Sequence, residues 1–238
     1  MIINKLSWDS QFFGFNVGKI DGDKISSIED LKKILLEAKN LNYRLCYLLI
    51  PCEYISLNEI AKSQNGLLID EKVTYSINDI YGVKLDDSSN ISEFDKKFSL
   101  KEMYELGIQS SHQSRFRIDK NFERNACDKM YKIWIEKSID GELAEKVFIY
   151  TDNNAVKGMI TIKIYNGIGK IILIGVDSEE RGKSIGKKLI QKSFEYFISS
   201  KVYKVDVDTQ NRNIDACRFY EKCGFSKSKT INVYHYWL

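Results

Sequence analysis

The sequence lacks the features that mark membrane, secreted and nucleic-acid-binding proteins. No apolar run reaches the roughly 20 residues that a transmembrane helix needs, and the N-terminal stretch Met1–Lys5 lacks the apolar region of a secretory signal. The formal net charge is only +3, which does not indicate binding to nucleic acid. We therefore expect a cytoplasmic protein that binds neither nucleic acid nor a membrane.

Residues that ligate metals are scarce and badly spaced. The chain has two histidines, His112 and His235, and an odd number of cysteines, five, without a metal-ligand spacing. We expect no bound metal, and thiols that are reduced and mostly buried. The cysteines are Cys46, Cys52, Cys127, Cys217 and Cys223.

The length and composition of the chain indicate a globular protein of one large domain or two small ones. Hydrophobic residues make up 43% of the 238 residues, as in soluble globular proteins. The polar stretch Asp86–Asn90 predicts a linker, so we predict domains over residues 1–85 and 86–238. The first is predicted to be α/β in the order β-α-β-α-β. Its clearest elements are helices over residues 28–41 and 54–63 and strands over residues 43–50 and 67–77.

The second domain is predicted to open with helices and to continue as an antiparallel meander. Residues 100–108 and 127–138 have the apolar spacing of helices. Residues 147–151 and 155–165 read as strands joined by a tight polar turn. A second turn, Asn166–Gly169, leads into the stretch on which the functional argument depends.

The stretch Ile171–Gly186 combines a strand, a polar loop and the start of a helix. Its apolar run, Ile171–Val176, has the length of a buried strand, and apolar residues return at helical spacing from Ile185. Small residues at Gly182 and Ser184 let a ligand approach the backbone, and the first helical turn offers N–H groups to an anion such as a diphosphate. An ordinary strand–helix turn would have the same composition, so this stretch alone leaves both interpretations open.

A second strand, turn and helix follow. Residues 202–208 alternate apolar and polar side chains, Asn213 is placed to cap a helix, and Gly224 is placed to end it. The pattern Asn-x-x-Ala-x-x-x-Tyr-x-x-x-Gly-Phe runs from Asn213 to Phe225. Together the two stretches closely resemble the acetyl-CoA-binding half of the GCN5-related N-acetyltransferases.

The resemblance includes one departure from the family pattern. The signature Arg/Gln-x-x-Gly-x-Gly/Ala falls on Arg181, Ser184 and Gly186, so a serine stands where the family usually has glycine. Because serine is also small, we expect the loop to form.

The resemblance implies a fold, a co-substrate and a set of residues. The implied fold is α/β (α+β), the acetyltransferase (GNAT) fold with a mixed twisted sheet flanked by helices, preceded here by a smaller, truncated domain of the same kind. Acetyl-CoA is the implied co-substrate, held where two parallel strands splay, and Tyr220 is the implied catalytic acid that protonates the departing thiolate. The implied coenzyme-binding residues are Ile174, Gly175, Val176, Arg181, Gly182, Lys183, Ser184, Ile185, Gly186, Lys187, Asn213 and Tyr220.

Three shorter motifs narrow the resemblance. The segments Leu6–Gly14, Gln113–Phe116 and Trp134–Glu136 are similar to those of the bacterial dTDP-fucosamine N-acetyltransferases. This resemblance implies that the acceptor is a nucleotide-linked (dTDP) 4-amino-4,6-dideoxyhexose used for surface polysaccharide, such as lipopolysaccharide. The implied substrate-binding residues are Trp8, Phe12, Phe13, Ser114, Arg115 and Phe116.

Several of these residues keep a second interpretation. The aromatic side chains near the N-terminus, which we expect to precede the first regular element, could fill the core under a loop. Arg115 could form a surface salt bridge, and Tyr220 could be a core tyrosine. No general base stands out. The acceptor could be another amine, such as a protein N-terminus, a polyamine or an antibiotic, or the chain could bind acyl-CoA without catalysis. The apolar stretch Ile231–Leu238 would suit pairing of two copies, so a homodimer is a further expectation.

Overall fold

The computed structural model of this chain describes residues 2–84 and 90–238, and these form two compact units. Unit 1 contains the chain up to Val73, together with Gln210–Arg212 and Lys229–Leu238. Unit 2 contains Thr74–Thr209 and Asn213–Ser228. The predicted linker lies outside the described residues except for Asn90, and the boundary between residues 85 and 86 stays a prediction.

Unit 1 is an α/β unit in which parallel and antiparallel strands mix. Strand β1 pairs antiparallel with β2, β2 pairs parallel with β3, and β3 pairs antiparallel with β10. Helices α2 and α3 cover a core that includes buried residues of β3 and β10. The elements are β1 (Ile3–Lys5), α1 (Ser7–Phe13), β2 (Asn16–Ile20), α2 (Ile28–Asn40), β3 (Tyr43–Pro51) and α3 (Ile55–Ser63), with parts of β4 (Leu67–Ile77) and β10 (Ser226–Trp237).

Helix α2 shows why the longer periodic segments were predictable. Its first turn is closed by a capping box, in which the Asp30 N–H donates to Ser27 Oγ over 3.1 Å and the Ser27 N–H donates to Asp30 Oδ2 over 3.0 Å. The side chains of Leu31, Ile34 and Ala38 follow at helical spacing and are buried. The predicted end at residue 41 differs by a single position, because the last turn ends at Asn40.

The prediction for the N-terminal aromatic segment was wrong. It was expected to precede the first regular element, but residues 7–13 form α1, flanked by the short strands β1 and β2. The helix ends at Gly14, whose φ of +74° is left-handed and whose N–H donates to the Ser10 carbonyl over 3.0 Å. Strands of three and five residues carry too little alternation to be recognised.

Unit 2 has the mixed sheet and flanking helices expected of the acetyltransferase order. Strands β5, β6, β7 and β8 pair antiparallel in sequence, and β8 pairs parallel with β9. The elements are β5 (Ile91–Glu93), α4 (Leu100–Ser110), α5 (Arg115–Ile118), α6 (Ala126–Ile139), β6 (Lys146–Asp152), β7 (Ala155–Tyr165), β8 (Ile168–Val176), α7 (Ile185–Ser199), β9 (Val205–Gln210) and α8 (Ile214–Lys222), with parts of β4 and β10.

Two tight turns fix the register of the meander. Asn153 and Asn154 have φ values of +48° and +64°, and Asn166 and Gly167 have φ values of +51° and +73°. Two-residue hairpin loops with positive φ at both positions match the right-handed twist of the strands they join, and asparagine and glycine adopt that conformation most easily. The predicted strand–turn–strand arrangement is therefore confirmed.

Helices cover both faces of the meander. Met159 of β7 packs in a core with Met103 of α4 and Ile135 of α6. On the opposite face, a Cβ atom at the neighbouring Gly158 would lie 2.8 Å from Ile185 Cγ2 of α7. Because successive side chains of a strand point to opposite faces, α4 and α6 lie on one side of the meander and α7 lies on the other.

The final strand does not present the apolar surface expected of it. Residues 231–237 of β10 pair with residues 45–51 of β3, and the residues from Asn232 to Tyr236 are buried. The buried part of this stretch is interior to unit 1, so its apolar character does not by itself support a homodimer. A homodimer stays a proposal without that support.

Candidate active site

Strands β8 and β9 separate at the end where the sequence predicts the site. Their parallel pairing covers only three positions and ends with Ile171 opposite Val207, whereas β8 continues to Val176 and β9 to Gln210. The expected splaying is confirmed. Beyond Ile171, the edge of β8 that faces β9 has no strand partner in the described residues, and its backbone groups can bind an extended ligand arm.

Charged residues hold the turn that follows β8. Residues Ser178–Glu180 form a 3-10 turn capped by Asp177, whose Oδ1 accepts from the Glu179 N–H over 3.2 Å. Lys157 Nζ of β7 lies 3.5 Å from Asp177 Oδ2 and 4.0 Å from Glu180 Oε1. Lys183 Nζ donates to Glu180 Oε2 over 2.7 Å, and this hydrogen bond raises the pKa of Lys183. Lys183, predicted to bind the coenzyme, is thus held by a carboxylate in this structure.

The loop before α7 has the backbone expected of an anion site. Gly182 and Ser184 have φ values of +83° and +62°, both left-handed, and Ser184 is the N-cap residue of α7 without a side-chain capping bond. Arg181 to Ser184 are exposed, and the N–H groups of the first turn of α7 project from the helix end that carries positive partial charge. The glycine-to-serine departure therefore leaves the loop formed, at the cost of a strained conformation at Ser184.

Other coenzyme-binding candidates have specific neighbours. Arg181 Nε donates to the Val176 carbonyl over 3.4 Å, so this side chain folds back on the end of β8. The side chain of Ile185 is buried in the core, which leaves only its backbone for a ligand. A Cβ atom at Gly186 would lie 3.0 Å from the ring of Phe219 in α8, so glycine allows α7 and α8 to pack closely here.

Helix α8 begins and ends as the sequence predicts. The Ala216 N–H donates to Asn213 Oδ1 over 3.3 Å, which confirms Asn213 as the N-cap residue. Gly224 follows with a left-handed φ of +91°. The Asn213 oxygen that caps the helix is occupied by this bond, while its side-chain N–H groups remain the donors that could reach a bound ligand.

Tyr220 of α8 is buried among aromatic rings. Its ring centroid lies 5.9 Å from that of Tyr75 in β4 and 5.9 Å from that of Phe225. Burial raises the pKa of Tyr220, and the neighbouring Cys223, Cys217 and Asp208 raise it further. The phenol therefore stays protonated at neutral pH. The Tyr220 ring is therefore buried like that of a core tyrosine, and its hydroxyl keeps the proton that a catalytic acid needs.

Two polar residues that the sequence analysis did not single out lie near the ends of β8 and β9: Asp208 is in β9, and Gln109 contacts the turn after β8. Asp208 comes directly after the last residue of β9 that pairs with β8, is exposed, and accepts a hydrogen bond from Thr74 Oγ1 over 2.6 Å. Gln109 of α4 accepts a hydrogen bond at Oε1 from the Ser178 N–H over 2.9 Å. These pairs are separated by 134 and 69 residues in the chain, so no local pattern could have identified them.

The predicted acceptor-binding residues form two aromatic clusters, one in each unit. In unit 2, Ser114 and Phe116 are buried, Arg115 places its guanidinium 4.6 Å above the Phe116 ring, and Phe116 lies edge-to-face with Trp134 at 6.2 Å. In unit 1, Trp8 stacks on Phe12 at 5.2 Å, and Phe12 contacts Phe13 edge-to-face at 4.9 Å. Both clusters keep partly exposed aromatic or cationic groups.

Comparisons with known proteins agree with this architecture. The sequence model of the Acetyltransferase (GNAT) family matches residues 108–225. The spore coat polysaccharide biosynthesis protein SpsD of Bacillus subtilis (strain 168) is 26% identical over 133 residues, which are 56% of this chain and 46% of that protein. The chain thus spans less than half the length of SpsD. Streptothricin acetyltransferase A of the same organism is 30% identical over 123 residues, which are 51% of this chain and 68% of that protein.

A solved structure shares the fold. The crystal structure of a GCN5-related N-acetyltransferase from Sphaerobacter thermophilus matches 93% of this chain and 72% of its own with a TM-score of 0.62, at 13% identity. The family match includes the splayed strands, the left-handed loop and the helix that carries Tyr220, and the streptothricin acetyltransferase extends the sequence similarity over two thirds of a known enzyme. This chain belongs to the acetyltransferase (GNAT) family.

Proposed function

We propose that this protein transfers the acetyl group of acetyl-CoA to an amine. The observation that carries the proposal is the separation of β8 and β9 directly before a left-handed loop and the N-terminus of α7. The open edge of β8 suits the amide groups of the pantetheine arm, and the helix N-terminus suits the diphosphate. Arg181 and Lys187 are exposed cationic side chains beside that loop, which favours the same anion.

Acetyl transfer from acetyl-CoA to an amine requires few catalytic groups from the protein. A neutral amine attacks the thioester carbonyl carbon, the new C–N bond forms, and the C–S bond breaks to release the coenzyme thiolate. Tyr220, which holds its proton at neutral pH, gives that proton to the sulfur. The ammonium proton of the tetrahedral adduct leaves to water or to a carboxylate such as that of Asp208, which follows the last residue of β9 that pairs with β8. A proton then returns from water to the Tyr220 phenolate. Catalysis then depends mainly on holding the two substrates in position.

We further propose a nucleotide-linked amino-deoxyhexose as the acceptor. The likeness to a polysaccharide biosynthesis protein supports a sugar, and a guanidinium such as that of Arg115 suits a sugar-linked diphosphate. The streptothricin acetyltransferase relative favours a second candidate, an antibiotic amine.

A panel of acceptors separates these candidates. The purified protein would be given acetyl-CoA with a dTDP-linked 4-amino-4,6-dideoxyhexose, streptothricin, spermidine or a peptide with a free N-terminus, and thiol release and product mass would be measured. Acetylation of the sugar nucleotide with the highest kcat/KM is the expected result. Turnover of streptothricin alone would contradict the sugar proposal, and tight binding of coenzyme A without turnover of any amine would favour a non-catalytic acyl-CoA-binding protein.

A further inference from the structure

The turn that leads from β8 into the coenzyme loop is tied to helix α4. The backbone N–H of Ser178, the first residue of the 3-10 turn, donates to Oε1 of Gln109 over 2.9 Å. Gln109 lies in the last turn of α4. A side chain of the helix thus satisfies a backbone donor of the turn.

A second contact holds the same helix against the end of β8. A Cβ atom at Gly175 would lie 3.0 Å from the Leu106 carbonyl oxygen of α4. This separation is tighter than side chains normally tolerate, so glycine lets the helix backbone rest on the strand. Leu106 precedes Gln109 by one helical turn, and Gly175 precedes the Asp177–Glu180 turn. The two contacts therefore lie side by side.

The turn is also held from its other side. The Asp177 N–H donates to the Lys157 carbonyl of β7 over 3.0 Å, and Lys157 Nζ lies 3.5 Å from Asp177 Oδ2. Lys157 thus fixes the start of the turn, and Gln109 fixes the next residue. These two contacts fix the backbone of Asp177 and Ser178, and so they fix the direction in which the chain leaves β8 toward Gly182 and Ser184.

We infer that Gln109 is a positioning residue for the coenzyme loop, acting through the Ser178 N–H. The inference rests on the proposed binding of acetyl-CoA. Gln109 does not need to touch the coenzyme. Its hydrogen bond orients the turn, and the turn orients the loop whose backbone meets the diphosphate. Loss of the bond lets the loop sample other directions in the unliganded protein, and binding then has to reorder it.

A double-mutant cycle tests the inference by direct binding of coenzyme A, measured by calorimetry. Gln109→Met keeps the length of the side chain and removes the acceptor. Ser178→Pro removes the donor at the first position of the turn, where proline fits. The preceding residue, Asp177, has a ψ of 132°, which suits a residue before proline. Each variant should weaken coenzyme A binding about fivefold, the equivalent of one ordinary hydrogen bond. The double variant should be no weaker than the weaker single variant.

Two controls keep the outcome clear. Gln109→Glu retains an acceptor oxygen, so at high salt, where its added charge is screened, it should bind coenzyme A within about twofold of the wild type. Thermal unfolding of each variant, with a midpoint within a few degrees of the wild type, excludes general destabilisation. Wild-type affinity in Gln109→Met, or additive losses in the double variant, would overturn the inference. Absence of coenzyme A binding by the wild type would overturn the proposed function as well.

Discussion

The rings of Tyr220 and Tyr75 lie 5.9 Å apart, and Tyr75 donates a hydrogen bond over 2.9 Å to Oε1 of Glu221, the residue that follows Tyr220 in α8. Both tyrosines are buried, and burial raises the pKa of each. The two phenols are thus both buried, but they differ in their hydrogen bonding to Glu221, and Tyr220 is the one that matches the family pattern for a catalytic acid.

Substitution of Tyr220 tests the proposed catalytic acid, and the same substitution of Tyr75 serves as the control. Tyr220→Phe should lower kcat about a hundredfold, because the thiolate loses its proton donor, with little change in coenzyme A affinity. Tyr75→Phe should lower kcat by less than about threefold. The measurement is steady-state acetylation of whichever amine proves to be the substrate, with calorimetry for the coenzyme. Equal activity of Tyr220→Phe and the wild type would remove Tyr220 from the mechanism.

Ser184 provides a second prediction, because it is a residue with a Cβ atom in a left-handed conformation. Its φ is +62° and its side chain makes no capping bond, so glycine would relieve strain of about 1 kcal/mol while losing no capping bond. Part of that gain is offset by the greater freedom of glycine in the unfolded chain. We expect Ser184→Gly to be as stable as the wild type or slightly more stable in urea unfolding.

The matched substitutions at this position set the order of stabilities. Ser184→Ala keeps the Cβ atom and should resemble the wild type, whereas Ser184→Val adds a branched side chain that the left-handed region tolerates poorly and should be the least stable. A valine variant as stable as the glycine variant would show that the loop relaxes away from the left-handed conformation.

The sequence anticipated the coenzyme half of unit 2 because its signals are local. The apolar spacing of Ile185, Leu189 and Phe194 predicts α7, and these three side chains are buried. The motif from Asn213 to Phe225 includes both ends of α8. In such segments the start signal, the periodicity and the stop signal lie within a few turns of one another.

The parts that the sequence did not anticipate depend on distant residues or on very short elements. Strand β1 has three residues, too few for a period to show. The contact between Gln109 and Ser178 depends on how α4 packs on β8, which no segment encodes alone. The same holds for the polar pair of Thr74 and Asp208. The sequence shows that the strands carry polar residues, but it does not show which distant residue each of them bonds.

Glu180 leads to a prediction about coenzyme affinity. Its carboxylate accepts a hydrogen bond from Lys183, a residue proposed to bind the diphosphate. The carboxylate therefore neutralises that cation and adds a negative charge near the proposed anion site. Glu180→Gln should tighten coenzyme A binding about threefold at low salt, and the gain should shrink as salt screens the charges. Calorimetry at two salt concentrations would measure both effects.

The neighbouring Glu179 is the control for this charge change. It is exposed, and Glu179→Gln should alter the affinity less than Glu180→Gln does. Weaker binding by Glu180→Gln would mean that the carboxylate serves mainly to hold the turn through Lys157, which lies 4.0 Å away.

The last prediction concerns the closed end of the parallel pair, where Lys170 of β8 lies directly opposite Asp206 of β9. The Lys170 ammonium donates to the Asp206 carboxylate, and Ser76 Oγ donates to the same carboxylate over 2.7 Å. Burial raises the pKa of Asp206, but the hydrogen bonds from Lys170 and Ser76 outweigh burial, so the net pKa is lowered. This carboxylate therefore stabilises the fold when it is ionised.

The sign of the pH dependence follows from that lowered pKa. The contribution is complete above the unfolded pKa, about 3.9, and is lost as the pH falls through the lower folded value. Asp206→Asn should reduce the free energy of unfolding by about 2 kcal/mol at neutral pH, and the difference from the wild type should narrow below about pH 4. Urea unfolding from neutral pH to pH 3 would measure this, with the exposed Asp140→Asn as control. A difference that stays constant over this range would show that Asp206 contributes through packing and not through its charge.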